Sequence, residues 1–456
     1  MSLGKTGREQ WGSKLGFILA AAGSAIGLGN IWRFPYLAGE NGGAAFIFVY
    51  VLCAFAIGIP VLIAEILIGR STQKDPVGAF KALHKSPFWP AVGGMGVLAG
   101  FVILSFYSVV AGWSLGYVVE AIKGSFYQYA APDSAGKHFN DLIGNVGWSV
   151  GYMAAFMLLT MLVVYFGVQK GIERGSKIMM PMLFGLLIIV TIQGLSLEGS
   201  SAGLSYLFNP DFSKINAKVV LAALGQAFFS LSLGMGAMLT YGSYLKKKDN
   251  IPSSAVWVAV LDTSVAVIAG VAIFTVVFAT KQSPDVGPSL IFRTLPAVLT
   301  QIPGGYIFSI LFFIALVLAA LTSTVSLLEV VTAYFVDEKK WDRKKAVLIF
   351  GMACLLLGIP SALSFNLLAD STIFGLNFFG LTEFIASNLL LPIGGFFISI
   401  FVGWVWHKAT VRENVIAGAE GSFGKYPWLL TTWEIVLKYI APILIFIVLL
   451  SSIGLI

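Results

Sequence analysis

The sequence predicts an all-α integral membrane protein, and three observations carry that fold class. Of 456 residues, 57% are hydrophobic and 11% are charged, with a mean hydropathy of +0.88; soluble domains hold roughly a quarter charged residues. Eleven apolar runs are long enough to cross about 30 Å of hydrocarbon as helices. Two of them, the first and the sixth, are interrupted at corresponding places, by Gly23-Ser24-Ala25-Ile26-Gly27-Leu28-Gly29-Asn30 and by Ser230-Leu231-Ser232-Leu233-Gly234-Met235-Gly236-Ala237. Lipid cannot hydrogen-bond an exposed backbone, so a span that leaves its helix at membrane depth must line a protected polar cavity. Two such spans half a chain apart point to a transporter's binding site.

Span one covers residues 12–38 and continues through Arg33-Phe34-Pro35 with no small-residue cleavage site, so it reads as a retained span and not a signal peptide. Spans two to five follow at 43–69, 90–122, 146–166 and 177–196. Span six, 217–245, repeats the interruption of span one. Spans seven to eleven follow at 253–279, 304–335, 346–364, 381–406 and 431–455. The matched breaks imply one transporter domain over 1–456. It is built from two inverted repeats of five spans, 12–196 and 217–406, with the run at 431–455 outside them.

Lys and Arg collect in short cytoplasmic loops. Here 21 of them fall at the N-terminus (Lys5, Arg8, Lys14) and in the loops after spans two, four, six, eight and ten, against six in the opposite loops. The N-terminus is therefore expected in the cytoplasm and, with an odd span count, the C-terminus outside, in a multi-pass protein of the plasma membrane. The net charge of +7 is this topological bias; no basic stripe with interleaved aromatics suggests nucleic acid. The two cysteines, Cys53 and Cys354, fall inside spans and read as small packing residues. The three histidines show neither metal-ligand spacing nor a catalytic partner pattern, so no enzyme is expected.

An unwound segment bares carbonyls that suit a small cation, and the N-terminus of the half-helix beyond it suits a carboxylate. Asn30 adds a side-chain oxygen to the first break, and Ser230 and Ser232 add hydroxyls to the second. Span eight carries Ala319-Ala320-Leu321-Thr322-Ser323-Thr324 near mid-membrane, a second set of oxygens beside span one. Intramembrane charges are costly and mark function. Asp262 in span seven reads as a fixed negative charge that lowers the cost of holding Na⁺, the alternative being a buried structural carboxylate. Glu65 and Glu329 stay open between the two. Arg33 lies just outward of the first break, with Glu383 of span ten as its candidate partner.

These residues carry a resemblance. Trp11 to Phe17, Gly23 to Pro35, Glu40-Asn41-Gly42-Gly43, Gly225 to Tyr241 and Leu321 to Ser323 are similar to the motifs of the neurotransmitter:sodium symporters, also called the solute carrier 6 family, and above all to its bacterial amino-acid members. The resemblance implies the LeuT-like fold and Na⁺-driven uptake of hydrophobic L-amino acids, aliphatic and aromatic, by alternating access. No cofactor is implied beyond Na⁺ as coupling ion. The first of two sodium sites would take the Ala25 carbonyl, Asn30, Ser230, Asp262 and the substrate's own carboxylate. The second would take the carbonyls of Gly23, Ile26 and Ala319 with the hydroxyls of Thr322 and Ser323.

The substrate carboxylate would meet the Leu28 and Gly29 amides and the Tyr107 hydroxyl, and its ammonium the carbonyls of Ala25, Phe229 and Ser230. Ile103, Phe229, Ser232, Met235, Ser326 and Leu327 would line the pocket. Arg33 with Glu383 resembles the family's outer gate, and Arg8 with Asp337, capped by Trp11, its inner gate. Where chloride-dependent members have Ser, one turn after Asp262, this chain has Ala266; with a carboxylate built in, chloride independence is expected. At the inner end of span five, Gly171, Gly175 and Pro181 weaken the helix, and this end is expected to unwind and admit water to the second sodium.

Overall fold

The computed structural model describes residues 8–129, 132–281 and 290–455; Lys5 lies outside them. Among the described residues the fold is helical with no β-strand, one of the two ways, with the closed barrel, that a chain satisfies its own backbone in lipid. Among the described residues, nine helices are long and apolar enough to cross a membrane: Ala44–Thr72, Phe88–Lys123, Val146–Tyr165, Val168–Leu195, Ile251–Ala279, Gly305–Lys339, Arg343–Leu363, Phe378–Val405 and Pro427–Ser452. A tenth span is the pair Lys14–Ala25 and Gly29–Glu40, bent by 50°. The sixth span in chain order is split into Ala217–Ser230 and Ala237–Gly242, neither half long enough alone. With each broken pair taken as one span, the order is the one the sequence predicts.

Local chemistry sets the helix starts. The Ser13 hydroxyl accepts the Gly16 N–H at 3.0 Å, Asn216 accepts from Val219 at 3.1 Å, and Asn250 accepts from Ser253 at 2.8 Å. Each supplies an acceptor to a donor that the first turn leaves unpaired. Span five begins at Val168, earlier than the 177 predicted. Its first turn, Val168–Glu173, is a π-helix rich in polar residues, which hides it from a hydropathy reading. The helix then runs unbroken through Gly171, Gly175 and Pro181, so the expected unwinding is absent from this conformation.

The broken spans sit at the centre. The first half of span one packs against spans seven, eight and five; span two packs along both halves of span six. Spans two, three, seven and eight are mostly buried, while four, five and eleven turn much of their surface outward. The two breaks therefore face each other inside a sleeve of protein.

Candidate functional site

Span one is helical through Ala25, so Gly23 lies within its first half and only residues 26–28 are open. Ile26 is extended and the chain re-enters helix at Gly29. Span six opens over residues 231–236, with Ser232, Gly234 and Gly236 at positive φ of 54°, 81° and 74°. Glycine meets such angles without strain; serine does so seldom, and its presence here is worth a cause. Glu65 of span two supplies part of the support: its Oε1 accepts the freed Gly234 N–H at 2.7 Å.

Around the first break, four polar side chains converge. The Ser230 hydroxyl lies 2.9 and 2.8 Å from the two Asp262 carboxylate oxygens, and Asn30 Nδ2 donates to Asp262 Oδ1 at 2.7 Å. Tyr50 of span two, which the sequence reading did not single out, donates to Asp262 Oδ2 at 3.1 Å. Its signal was a hydroxyl in mid-run of an apolar span. One detail departs from expectation. The Asn30 amide oxygen, expected to face a cation, accepts the Gly27 N–H at 3.0 Å, because the carboxylate draws the amide's donor side to itself.

On the other flank, Ser323 Oγ lies 3.5, 3.1 and 3.2 Å from the carbonyls of Gly23, Ser24 and Ile26. Thr322 Oγ1 lies 3.4 Å from the Ile26 carbonyl and 2.9 Å from that of Ala319. The five residues proposed from the resemblance for a second sodium thus stand together. Gly27 lies between the clusters and has to be glycine: a Cβ there would stand 2.4 Å from Ser323 Oγ and 2.5 Å from the Tyr107 hydroxyl.

A small cavity of about 20 Å³ separates the clusters, lined by Ala25, Gly29, Ile103, Phe229, Met235 and Leu327 among others. Tyr107 reaches it from span three, its hydroxyl accepting the Leu28 N–H at 2.7 Å. Ser232 and Ser326 face the same cavity. So does Ser24, which no sequence assignment included.

The two ion pairs that the resemblance implies stand in opposite states. Arg8 pairs with Asp337, donates to Ser243 Oγ at 2.6 Å and lies 4.7 Å over the Tyr244 ring. Trp11 is buried, its indole N–H donating to the Tyr241 carbonyl at 2.9 Å. Beneath them Glu329 receives both Arg343 and the Tyr244 hydroxyl, the latter at 2.6 Å. Glu329, left open by the sequence, thus belongs to one cluster with Arg343 and Tyr244, whose ring lies under Arg8. The outer pair, in contrast, is not made. Arg33 donates to Gln226 Oε1 at 3.1 Å and lies 4.9 Å over Phe229, while Glu383 lines a separate outer cavity of about 520 Å³ with Trp32, Tyr36 and Trp113. A buried amide and a ring face hold the guanidinium here instead.

Residues 8–131 and 125–455 match the sodium:neurotransmitter symporter family. The chain belongs to that family. Among its symporter relatives, an uncharacterized sodium-dependent transporter of Bacillus subtilis (strain 168), YhdH, is 42% identical over 98% of both chains. One from Haemophilus influenzae is 34% identical over 98% of both. The human sodium- and chloride-dependent taurine transporter is 26% identical, over 94% of this chain and 76% of its own. The crystal structure of MhsT in complex with L-phenylalanine matches with a TM-score of 0.89 at 49% identity, covering 98% of this chain and 100% of that one. This symporter is therefore a multi-pass membrane transporter with the fold of MhsT, and not an enzyme.

Proposed function

We propose that the protein takes up hydrophobic L-amino acids, aliphatic and aromatic, driven by two Na⁺ ions and without chloride. One observation carries the reading: two oxygen clusters, both built on the break of span one, flank a single cavity with apolar walls. In this reading the first Na⁺ takes the Ala25 carbonyl, Ser230, Asp262 and the substrate carboxylate, with Asn30 joining after a half-turn of its amide. The second takes the carbonyls of Gly23, Ile26 and Ala319 with Thr322 and Ser323. The substrate carboxylate lies against the Leu28 and Gly29 amides and Tyr107. Its ammonium faces the Ala25, Phe229 and Ser230 carbonyls.

Asp262 favours chloride independence. Tyr50, Ser230 and Asn30 all aim donors at its carboxylate, so the negative charge is already in place and held. The relative solved with L-phenylalanine supports the amino-acid class. The bias of basic residues supports a cytoplasmic N-terminus and an outer C-terminus. With the inner pair made and the outer pair open, the conformation fits one stage of alternating access.

Uptake into proteoliposomes, with a panel of labelled amino acids and imposed Na⁺ or Cl⁻ gradients, tests the reading. Leucine and phenylalanine are expected to accumulate with Na⁺ and equally in gluconate and chloride. Uptake indifferent to Na⁺ overturns the coupling. Selective accumulation of another small amine or an osmolyte overturns the substrate class, and sodium-dependent binding with no uptake leaves a sensor in its place. A strict chloride requirement removes only the role given to Asp262.

A further inference from the structure

Gly78 lies in the short helix Pro76–Leu83 after span two, and the space beside its Cα is shared by two carboxylates. A Cβ there would stand 2.7 Å from Asp75 Oδ2 and 2.8 Å from Glu338 Oε1, so oxygens from two elements face one point. Asp75 is fully buried, and its Oδ2 has no partner. The oxygens around that point are taken. Asp75 Oδ1 accepts the Val77 and Gly78 N–H groups at 3.0 and 3.2 Å, Glu338 Oε2 holds Lys81, and Asp337 Oδ2 holds Arg8 and accepts the Asp75 N–H at 2.9 Å.

The charges facing this point do not balance. Three carboxylates, Asp75, Asp337 and Glu338, meet two cations, Arg8 from ahead of span one and Lys81 from the short helix; the phenol of Tyr334 is the other titratable group near Lys81. One positive charge is missing. Two carboxylates that share a site, one of them buried, do not both stay ionised. A hard metal cation takes six or more oxygens, and this point offers two. Two suffice for a proton.

We infer that Asp75 and Glu338 hold one proton between them while the inner ion pair is made, and that its loss to the solution on the inner side loosens that pair. The inference rests on the proposed reading of Arg8 with Asp337 as the inner closure. The connection is short, because Asp337 and Glu338 are neighbours at the end of span eight, and Asp337 binds both Arg8 and the Asp75 backbone. Once the proton has gone to water, Asp75 and Glu338 repel across the joint between the short helix and span eight. The seat of Asp337 shifts, and Arg8 loses its fixed partner. Acid on the inner side thus holds this face closed, and a rise in pH favours opening. Burial, first, and then Glu338 push the Asp75 carboxyl up to about 6, which places the change near neutral pH.

The test places spin labels at Lys14→Cys and Lys85→Cys in the full-length protein, two exposed positions that follow the Arg8 stretch and the short helix. The native Cys53 and Cys354 are buried. Pulsed electron-spin resonance reads the short, closed and the long, open distance populations from pH 5.5 to 7.5. The ratio of long to short is expected to rise by roughly tenfold over that range, since one proton gives at most about tenfold per pH unit. In Asp75→Asn and in Glu338→Gln an amide N–H stands in for the shared proton, so the short distance should persist at every pH. A ratio indifferent to pH in the unaltered protein overturns the inference, as does a pH dependence that both variants keep. So does a ratio set by potassium at fixed pH and fixed Na⁺ in the unaltered protein and not in Asp75→Asn, which assigns the point to a metal cation. If Arg8→Ala leaves the short distance in place at every pH, it is the reading of the inner closure that falls.

Discussion

The carboxylate of Glu173, in the π-helical first turn of span five, accepts the backbone N–H of Gly12 at 2.7 Å, just ahead of the first helix of span one. Ser13 Oγ at 2.9 Å and Lys177 Nζ at 2.7 Å complete its shell. Two further bonds run between the same stretches: Val168 N–H to Glu9 Oε2 at 2.8 Å and Gln169 Nε2 to the Gln10 carbonyl at 2.7 Å. The chain ahead of span one is thus stitched to the inner end of span five. Hydrogen bonds to a charged group are worth about 1.5–3 kcal/mol each. Glu173→Ala is expected to raise amide exchange over residues 168–180 by roughly tenfold or more, read by hydrogen-exchange mass spectrometry. Unchanged protection there means that the stitching does not restrain the segment.

Pro181→Ala should act in the opposite direction. Proline has no N–H to give the carbonyl one turn back, and its ring crowds that turn, a cost of about 3 kcal/mol in a helix interior. The substitution restores the bond, so exchange over the same residues should slow and Na⁺ release toward the inner side should slow with it. If both stay as they were, unwinding of this end does not open a path to the second sodium.

Asp262→Asn removes the built-in charge and leaves the Tyr50, Ser230 and Asn30 donors aimed at a neutral group. Donors converging in a dry site favour an anion. Uptake by this variant is expected to fall at least tenfold in gluconate and to recover in part in chloride. Full uptake in gluconate excludes the carboxylate as the source of chloride independence.

Asp75 carries the pH prediction. It caps the short helix Pro76–Leu83 through Val77 and Gly78 at 3.0 and 3.2 Å, while its second oxygen is buried without a partner. Burial, first, and the nearby Glu338 push its carboxyl up to about 6, against the lowering by the helix N–H groups and Arg8. The folded value exceeds the unfolded value of about 3.9, so the fold favours the protonated form. That contribution is whole below pH 4 and is lost as pH rises through about 6. Asp75→Asn should flatten this fall and raise the thermal unfolding midpoint at pH 7, measured in detergent across pH 4 to 8. A fall equally steep in the variant assigns it to another group.

Both breaks, and the hydroxyl set of span eight, were legible because glycine and polar residues are conspicuous in apolar runs. The supports of the site were not. Tyr50 reads as one more aromatic until span seven brings Asp262 to its hydroxyl, and Ser24 and Glu173 gain their roles from residues far along the chain. Sequence pattern encodes periodicity and composition; it is silent on which buried faces meet. Arg33 and Glu383 show another limit: charge and position suggest a pair, but here Arg33 is held by Gln226 instead.

Gln226 ties Arg33 to the broken span. Its amide nitrogen donates to the Gly29 carbonyl at 2.8 Å while its oxygen holds Arg33. For Arg33 to reach Glu383, it has to give up one oxygen and a ring face for another oxygen. In the proposed cycle the guanidinium has a partner in both positions, so neither leaves it bare. If this pair acts as the proposed outer gate, the direction of the cycle falls to whatever binds one position better than the other, so that ion and substrate gradients decide which way cargo moves.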